Sequence, residues 1–316
     1  MKIKLVHFDN DFGRFIYPAF SNCFDPYFEL EQYTATADYD RASTIFILNT
    51  AQDMFLKGLI DSGYRVLVEN LQENNVPHAI DSKFVKYMIC VNDRRLPESY
   101  ITVPWFFWYR ESRLFNYQHI MRESKFDRKF LLMMNYQRPF RDYIHDVFQP
   151  IVDQGLYSYV DRGIRLDGDR ERTETHWDRY INPDWYNRTQ FSVVVETAVS
   201  RGRLEVFITE KTMKPLALRH PFITIACPTT LHFIREGGFE TFGNLFDEHY
   251  DLVSDDERRI ELVYKQVVNY DRQDHSRLTE EKVEYNYQRF YNRALVDKRF
   301  TQDVVYPILE FANDQT

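Results

Sequence analysis

"EVFITEKTMKPLALRHPFITI", residues 205–225, is the stretch on which the fold turns. It reads as a short apolar strand, Phe207–Ile208, then a turn, a short helix and a second strand, Phe222–Ala226. At the end of the first strand stand Thr209, Glu210 and Lys211, an acid and a base side by side after an apolar run. A helix that begins there aims its unpaired N–H groups and partial positive charge at the strand end, which suits an anion. Lys211 adds a full charge, and Glu210 can accept hydrogen bonds from a ribose diol. Pro215 constrains that helix. One running through it from Thr209 loses a backbone bond, whereas one starting nearer Lys214 takes Pro215 at its first position.

The same alternation extends over the chain. Ile3–Phe8, Thr44–Leu48, Arg65–Val68, Tyr87–Val91 and Ile101–Val103 read as strands. Residues 54–62 read as a helix stopped by Gly63, and 111–126 as a charged helix or linker. Phe130–Met134 opens a second series, followed by a helix at Asp142–Phe148, an exposed charged loop at 161–180 and a β-branched strand at Phe191–Val195. Ile260–Val268, Glu280–Leu295 and Val304–Phe311 read as helices. Strands separated by helical connections predict parallel sheets covered by helices. The expectation is two α/β domains, 1–125 and 126–316, with the last helices packing back on the first. In such sheets ligands sit beyond the carboxyl ends of the strands, where Glu196 and Thr209–Lys211 both fall.

A chain of 316 residues allows two domains. Its net charge of −8 argues against a protein that holds nucleic acid mainly by charge. Three cysteines, far apart and without a CxxC pair, point away from a disulfide framework or zinc knuckle and toward a reducing, cytoplasmic compartment. No run approaches the roughly 20 apolar residues that span a bilayer.

"FSVVVETAVSRGRLEVFITEKTMKPLALRHPFITIACP", residues 191–228, resembles the donor-binding motif of glycosyltransferase family 10, the fucosyltransferase family. Glu196 takes the place of that motif's first Glu and Phe207 of its Tyr, and Thr209, Glu210 and Lys211 match outright. Thr197, Val206 and Arg219-His220 depart from it. "KFLLMMNYQRPFRDYIHDVF", residues 129–148, is similar to the family's strand followed by Asn and Arg, with Asn135 in place, Arg141 the better-matched Arg and Arg138 the fallback. The segment "LHFIREGGFETFGNLFDEHYD", residues 231–251, is similar to often viral glycosyltransferase-like proteins, which would place the chain in a host cytoplasm.

The resemblance implies a GT-B-like fold, two Rossmann-like domains facing across a cleft. It also implies transfer of a sugar from a nucleotide-diphosphate sugar, with inversion. Lys211 would contact the diphosphate, Glu210 the ribose and Glu196 the donor sugar, while an Arg would neutralise the phosphates. No metal and no cofactor is implied beyond the nucleotide sugar itself.

The acceptor could be a glycan or a hydroxymethylated DNA base. Its hydroxyl needs a base, and Asp9, Asp11, Glu69, Asp53 and Asp93 stand at strand ends, with His7–Asp11 the densest polar cluster. Each of these is also an ordinary strand-end residue. Trp105–Trp108 could stack on a ring or belong to the core. Glu174, His176 and Asp178 alternate but lack a second cluster that would complete a metal site. A non-catalytic nucleotide or glycan binder, and a nucleic-acid-binding partner protein, stay open beside the transferase.

Overall fold

The computed structural model describes residues 2–8, 10, 12–49, 53–70, 83–90, 96–115, 126–166, 180–200, 206–271 and 277–314. The chain divides into two compact units, Met1–Arg113 with Arg293–Thr316, and Leu114–Asn292.

The first unit is built on six parallel strands: Ile3–His7 (β1), Phe28–Gln32 (β2), Thr44–Asn49 (β3), Arg65–Asn70 (β4), Val85–Ile89 (β5) and Tyr100–Thr102 (β6). Their order is β2-β1-β3-β4-β5-β6. β3 and β4 are nearly continuous apolar runs, as strands covered on both faces must be. Val6, Phe46, Leu48, Val66, Val68 and Val85 form the core between them. Tyr17–Ala19 (α1) and Ser21–Phe24 (α2) are single turns, and Asp53–Asp61 (α3) is a full helix. It ends where Gly63 takes a φ of 78°, a left-handed stop that costs a glycine little. β2 is the strand of this sheet that periodicity misses: FELEQ is polar because it lies at the sheet edge and is only partly covered.

Phe106–Leu114 (α4) begins earlier than the charge pattern suggests. It carries the aromatic run inward, and Trp105, Phe106, Phe107 and Trp108 are all buried. They are core, so the stacking role considered for them is excluded.

The second unit holds Arg128–Met134 (β7), Pro139–Phe148 (α5), Leu156–Tyr159 (β8), Pro183–Arg188 (α6), Thr189–Val195 (β9), Glu210–Ala217 (α7), Phe222–Ile225 (β10), Thr230–Glu236 (α8), Asp256–Asn269 (α9) and Arg277–Phe290 (α10). Its strands are parallel in the order β10-β9-β7-β8. Phe207 and Ile208 are not a strand. β9 already has β7 and β10 on its two sides, so these residues bury their side chains without joining the ladder. α7 starts at Glu210 with Pro215 inside it, not at Lys214. The cap at Thr209 outweighs the one hydrogen bond that proline removes.

Glu280–Leu295 is two helices. α10 ends at Phe290, and Arg293–Phe300 (α11) leads through a wide turn into Tyr306–Asn313 (α12). These last helices belong to the first unit, whose opening segment ends at Arg113. Phe300 lies parallel to Phe20 with ring centroids 3.7 Å apart. Tyr109 donates to Asp303, and Arg113 pairs with Asp297. Among the described residues no helix is long and apolar enough to cross a membrane.

Candidate functional site

In the second sheet the chain passes from β7 to β8 on one side, then crosses to β9 on the other. Strand order reverses there, and the crevice beyond the carboxyl ends of β7 and β9 is where open α/β sheets take ligands. Asn135 leaves β7 at this point and Glu196 leaves β9. Pro139 opens α5 at its first position, where its missing N–H is no loss, and this brings Arg141 into the first turn.

Glu196 does not face open space. Its side chain is completely buried. Oε1 accepts from the Thr209 N–H at 3.1 Å and from Thr212 Oγ1 at 2.6 Å. Oε2 accepts from Thr209 Oγ1 at 2.6 Å and from the Thr197 N–H at 3.3 Å. The carboxylate therefore occupies the positive end of α7 that the sequence offers to an external anion. Thr209 caps the helix by accepting from the Lys211 N–H at 3.4 Å.

Lys211 is also engaged. Its Nζ donates to Thr197 Oγ1 at 3.0 Å, Thr209 Oγ1 at 3.1 Å and Glu210 Oε1 at 2.8 Å. The charge of Glu210 offsets that of Lys211, and both line the cavity beneath the crevice.

Arg141 is different. It is 3% exposed. Nη1 donates to the Tyr136 carbonyl at 2.9 Å, and Nε has no hydrogen-bond partner. No carboxylate of the described residues forms an ion pair with it. Burial, and then the neighbouring Arg138 guanidinium, push its pKa down; Tyr159 and the carboxylates of Glu196 and Glu210 act the other way. An arginine stays protonated even so. Arg141 is thus a buried cation without a counter-charge in contact among the described residues, and it lines the cavity. Arg138 is half-buried at the N-cap of α5 and also lacks an ion-pair partner among the described residues.

The cavity has a volume of about 60 Å³, room for a few waters or one small anionic group. Asn135, Arg141, Glu210 and Lys211 contribute to its wall, together with Ser158, Trp185, Tyr186 and Lys214, which the sequence reading leaves aside. Two of these had a local signal. Lys214 lies one turn beyond Lys211 on the same helix. Trp185 sits on α6, whose start is marked by Asn182, which accepts from the Asp184 N–H, and by Pro183. Ser158 had none, because a serine in a short edge strand has no distinguishing pattern. Phe207, placed by the resemblance at the donor site, is buried and not part of this wall.

His220 is buried beside the site but structural. One ring nitrogen faces the Thr189 carbonyl at 2.9 Å, and the other faces Ser192 Oγ at 2.9 Å. A neutral imidazole satisfies both as donor and acceptor.

The base candidates belong to the first unit. Glu69 lies near the carboxyl end of β4 and is buried. Asp9 and Asp11 lie outside the described residues, as do Asp93, Glu174, His176 and Asp178, and nothing is described of the Asp53 side chain. Among the described residues no group of three or more His, Cys, Asp or Glu could hold a metal ion.

No family model and no curated protein matches this sequence. Among solved structures, an α1,3-fucosyltransferase crystallised with GDP-fucose aligns over 100% of this chain and 91% of its own, at 8% identity and a TM-score of 0.49. A likeness that distant carries no argument, and the α/β assignment rests on the two parallel sheets themselves.

Proposed function

We propose that the second unit binds the diphosphate of a nucleotide sugar, and that the protein is a glycosyltransferase of GT-B type. The observation that carries this is Arg141, a buried guanidinium with no counter-charge in contact among the described residues, at the wall of a cavity at the sheet's switch point. A buried charge is expensive unless something pairs with it. A diphosphate supplies the pair, and a guanidinium fork is matched to it. Arg138 and Lys214 stand nearby to share the charge that develops on the leaving group. Trp185 and Tyr186 supply apolar wall.

The finer reading follows the resemblance. Transfer inverts the anomeric carbon and needs no metal, since fixed cations carry the phosphate charge. A carboxylate of the first unit, among Asp9, Asp11 and Glu69, removes the proton of the acceptor hydroxyl. The acceptor is a glycan or a hydroxymethylated DNA base.

The test is a thermal-shift screen of the full chain against GDP, UDP, ADP and CDP and their sugars. A ligand at a hundred times its Kd adds about 2.7 kcal/mol of stability. A shift with one nucleotide family, followed by release of that nucleoside diphosphate from its sugar, is the expected result. Binding without release in the presence of candidate acceptors would leave a non-catalytic binder. No shift on well-folded protein would end the donor-site reading.

A further inference from the structure

We infer that Glu196 is a positioning residue, and that with Thr212 it holds the Lys211 ammonium at the cavity wall, where its charge acts on the diphosphate through space while its three donors stay within the protein. This rests on the donor-site reading above but departs from the resemblance, in which Glu196 lies at the sugar. A carboxylate offers about four lone-pair sites. Here four donors fill them: the N–H groups of Thr197 and Thr209 and the hydroxyls of Thr209 and Thr212. No acceptor capacity is left for a sugar hydroxyl, and the group is fully buried.

The direction of these bonds determines what Glu196 controls. Thr209 Oγ1 must point its proton at the carboxylate, so its lone pairs turn to Lys211 and accept from that residue's N–H and Nζ. Thr197, held through its N–H by the same carboxylate, accepts from Nζ with its hydroxyl. Glu210 takes the third ammonium proton. All three Nζ donors are thereby assigned, and two of their three acceptors are fixed by Glu196. Thr212 is fully buried one turn into α7 and braces the same carboxylate from the other side.

The two roles separate in binding. A residue that touches the sugar affects the nucleotide sugar alone. A residue that acts through Lys211 and Glu210 affects the nucleoside diphosphate and its sugar by the same factor. Isothermal titration of the full chain with GDP, UDP, ADP and CDP, and with GDP-fucose and UDP-glucose, reads this directly. Thr212→Val keeps the shape and removes the hydroxyl. It is expected to weaken the diphosphate and the matching sugar nucleotide equally, by about tenfold, the loss of one hydrogen bond to a charged group passed on to the ligand. Thr212→Ser restores binding.

Glu196→Gln is expected to act in the same direction, because an amide hydrogen would face the Thr197 N–H. If that variant does not fold, the Thr212 pair carries the test alone. Wild-type affinity in Thr212→Val, or a loss in Glu196→Gln confined to the sugar nucleotide, overturns the inference. A wild type that binds none of the diphosphates overturns the donor-site reading and this inference with it.

Discussion

Replacing Arg141 by methionine should make the unliganded protein more stable while abolishing its response to nucleotide. The guanidinium is buried with one hydrogen bond, to the Tyr136 carbonyl, an unbonded Nε and no ion pair among the described residues. Removing a charged donor's hydrogen bond costs about 1.5–3 kcal/mol. The attraction of Glu196 and Glu210 for the charge is lost as well. Against this, the desolvation cost of a buried ion is several kcal/mol, and methionine keeps most of the apolar stem in place. The balance favours the variant by about 1–2 kcal/mol. In a unit of this size each kcal/mol moves the melting point by about 2–4 °C, so unliganded Arg141→Met should melt about 2–8 °C higher than wild type. With saturating nucleoside diphosphate the order should reverse, because only the wild type gains the binding energy. Differential scanning fluorimetry with and without ligand reads all four values. If unliganded Arg141→Met melts several degrees lower than wild type, the guanidinium is a structural brace and the anion-site argument is wrong.

Two further predictions concern the frame around the site. Asp251 is buried and accepts from the Leu231 N–H at 3.0 Å, and burial raises its pKa to about 6. The protonated form is therefore favoured by folding. Its stabilising contribution is complete below the unfolded value near 4 and is lost as pH rises through about 6. That contribution is about 3 kcal/mol at most. Asp251→Asn should be more stable than wild type at pH 7.5 and should flatten the fall in stability between pH 4 and 6, measured by urea titration at each pH. Gly155 precedes β8, and a Cβ there would lie 2.4 Å from the ring of Phe130, which is fully buried in β7. Gly155→Ala should cost about 1–3 kcal/mol by overpacking; an unchanged urea midpoint would show that the ring can move aside.

What the sequence determined by itself is local. The period of apolar residues marks β1, β3, β4, β7 and β9, because a strand covered on both faces must be apolar along its length. The turn chemistry marks Gly63 as a stop, Asn135 and Glu196 as strand-end residues, which in parallel sheets means one crevice, and Thr209 as a helix cap. β2 and β8 escaped because an edge strand is short and half polar. Only the tertiary structure decided what those residues do. Glu196 and Lys211 look alike in sequence as charged groups awaiting a ligand, yet one is enclosed by four donors and the other by three acceptors. The pattern offers Arg141 with Arg138 as a fallback, and of the two only Arg141 is buried. The return of α11 and α12 to the first unit depends on Phe300 meeting Phe20, 280 residues apart. Spacing along the chain records which face of an element is apolar. It does not record which distant group completes a hydrogen bond or leaves a charge unpaired, and that pairing decides whether a charged residue serves the fold or a ligand.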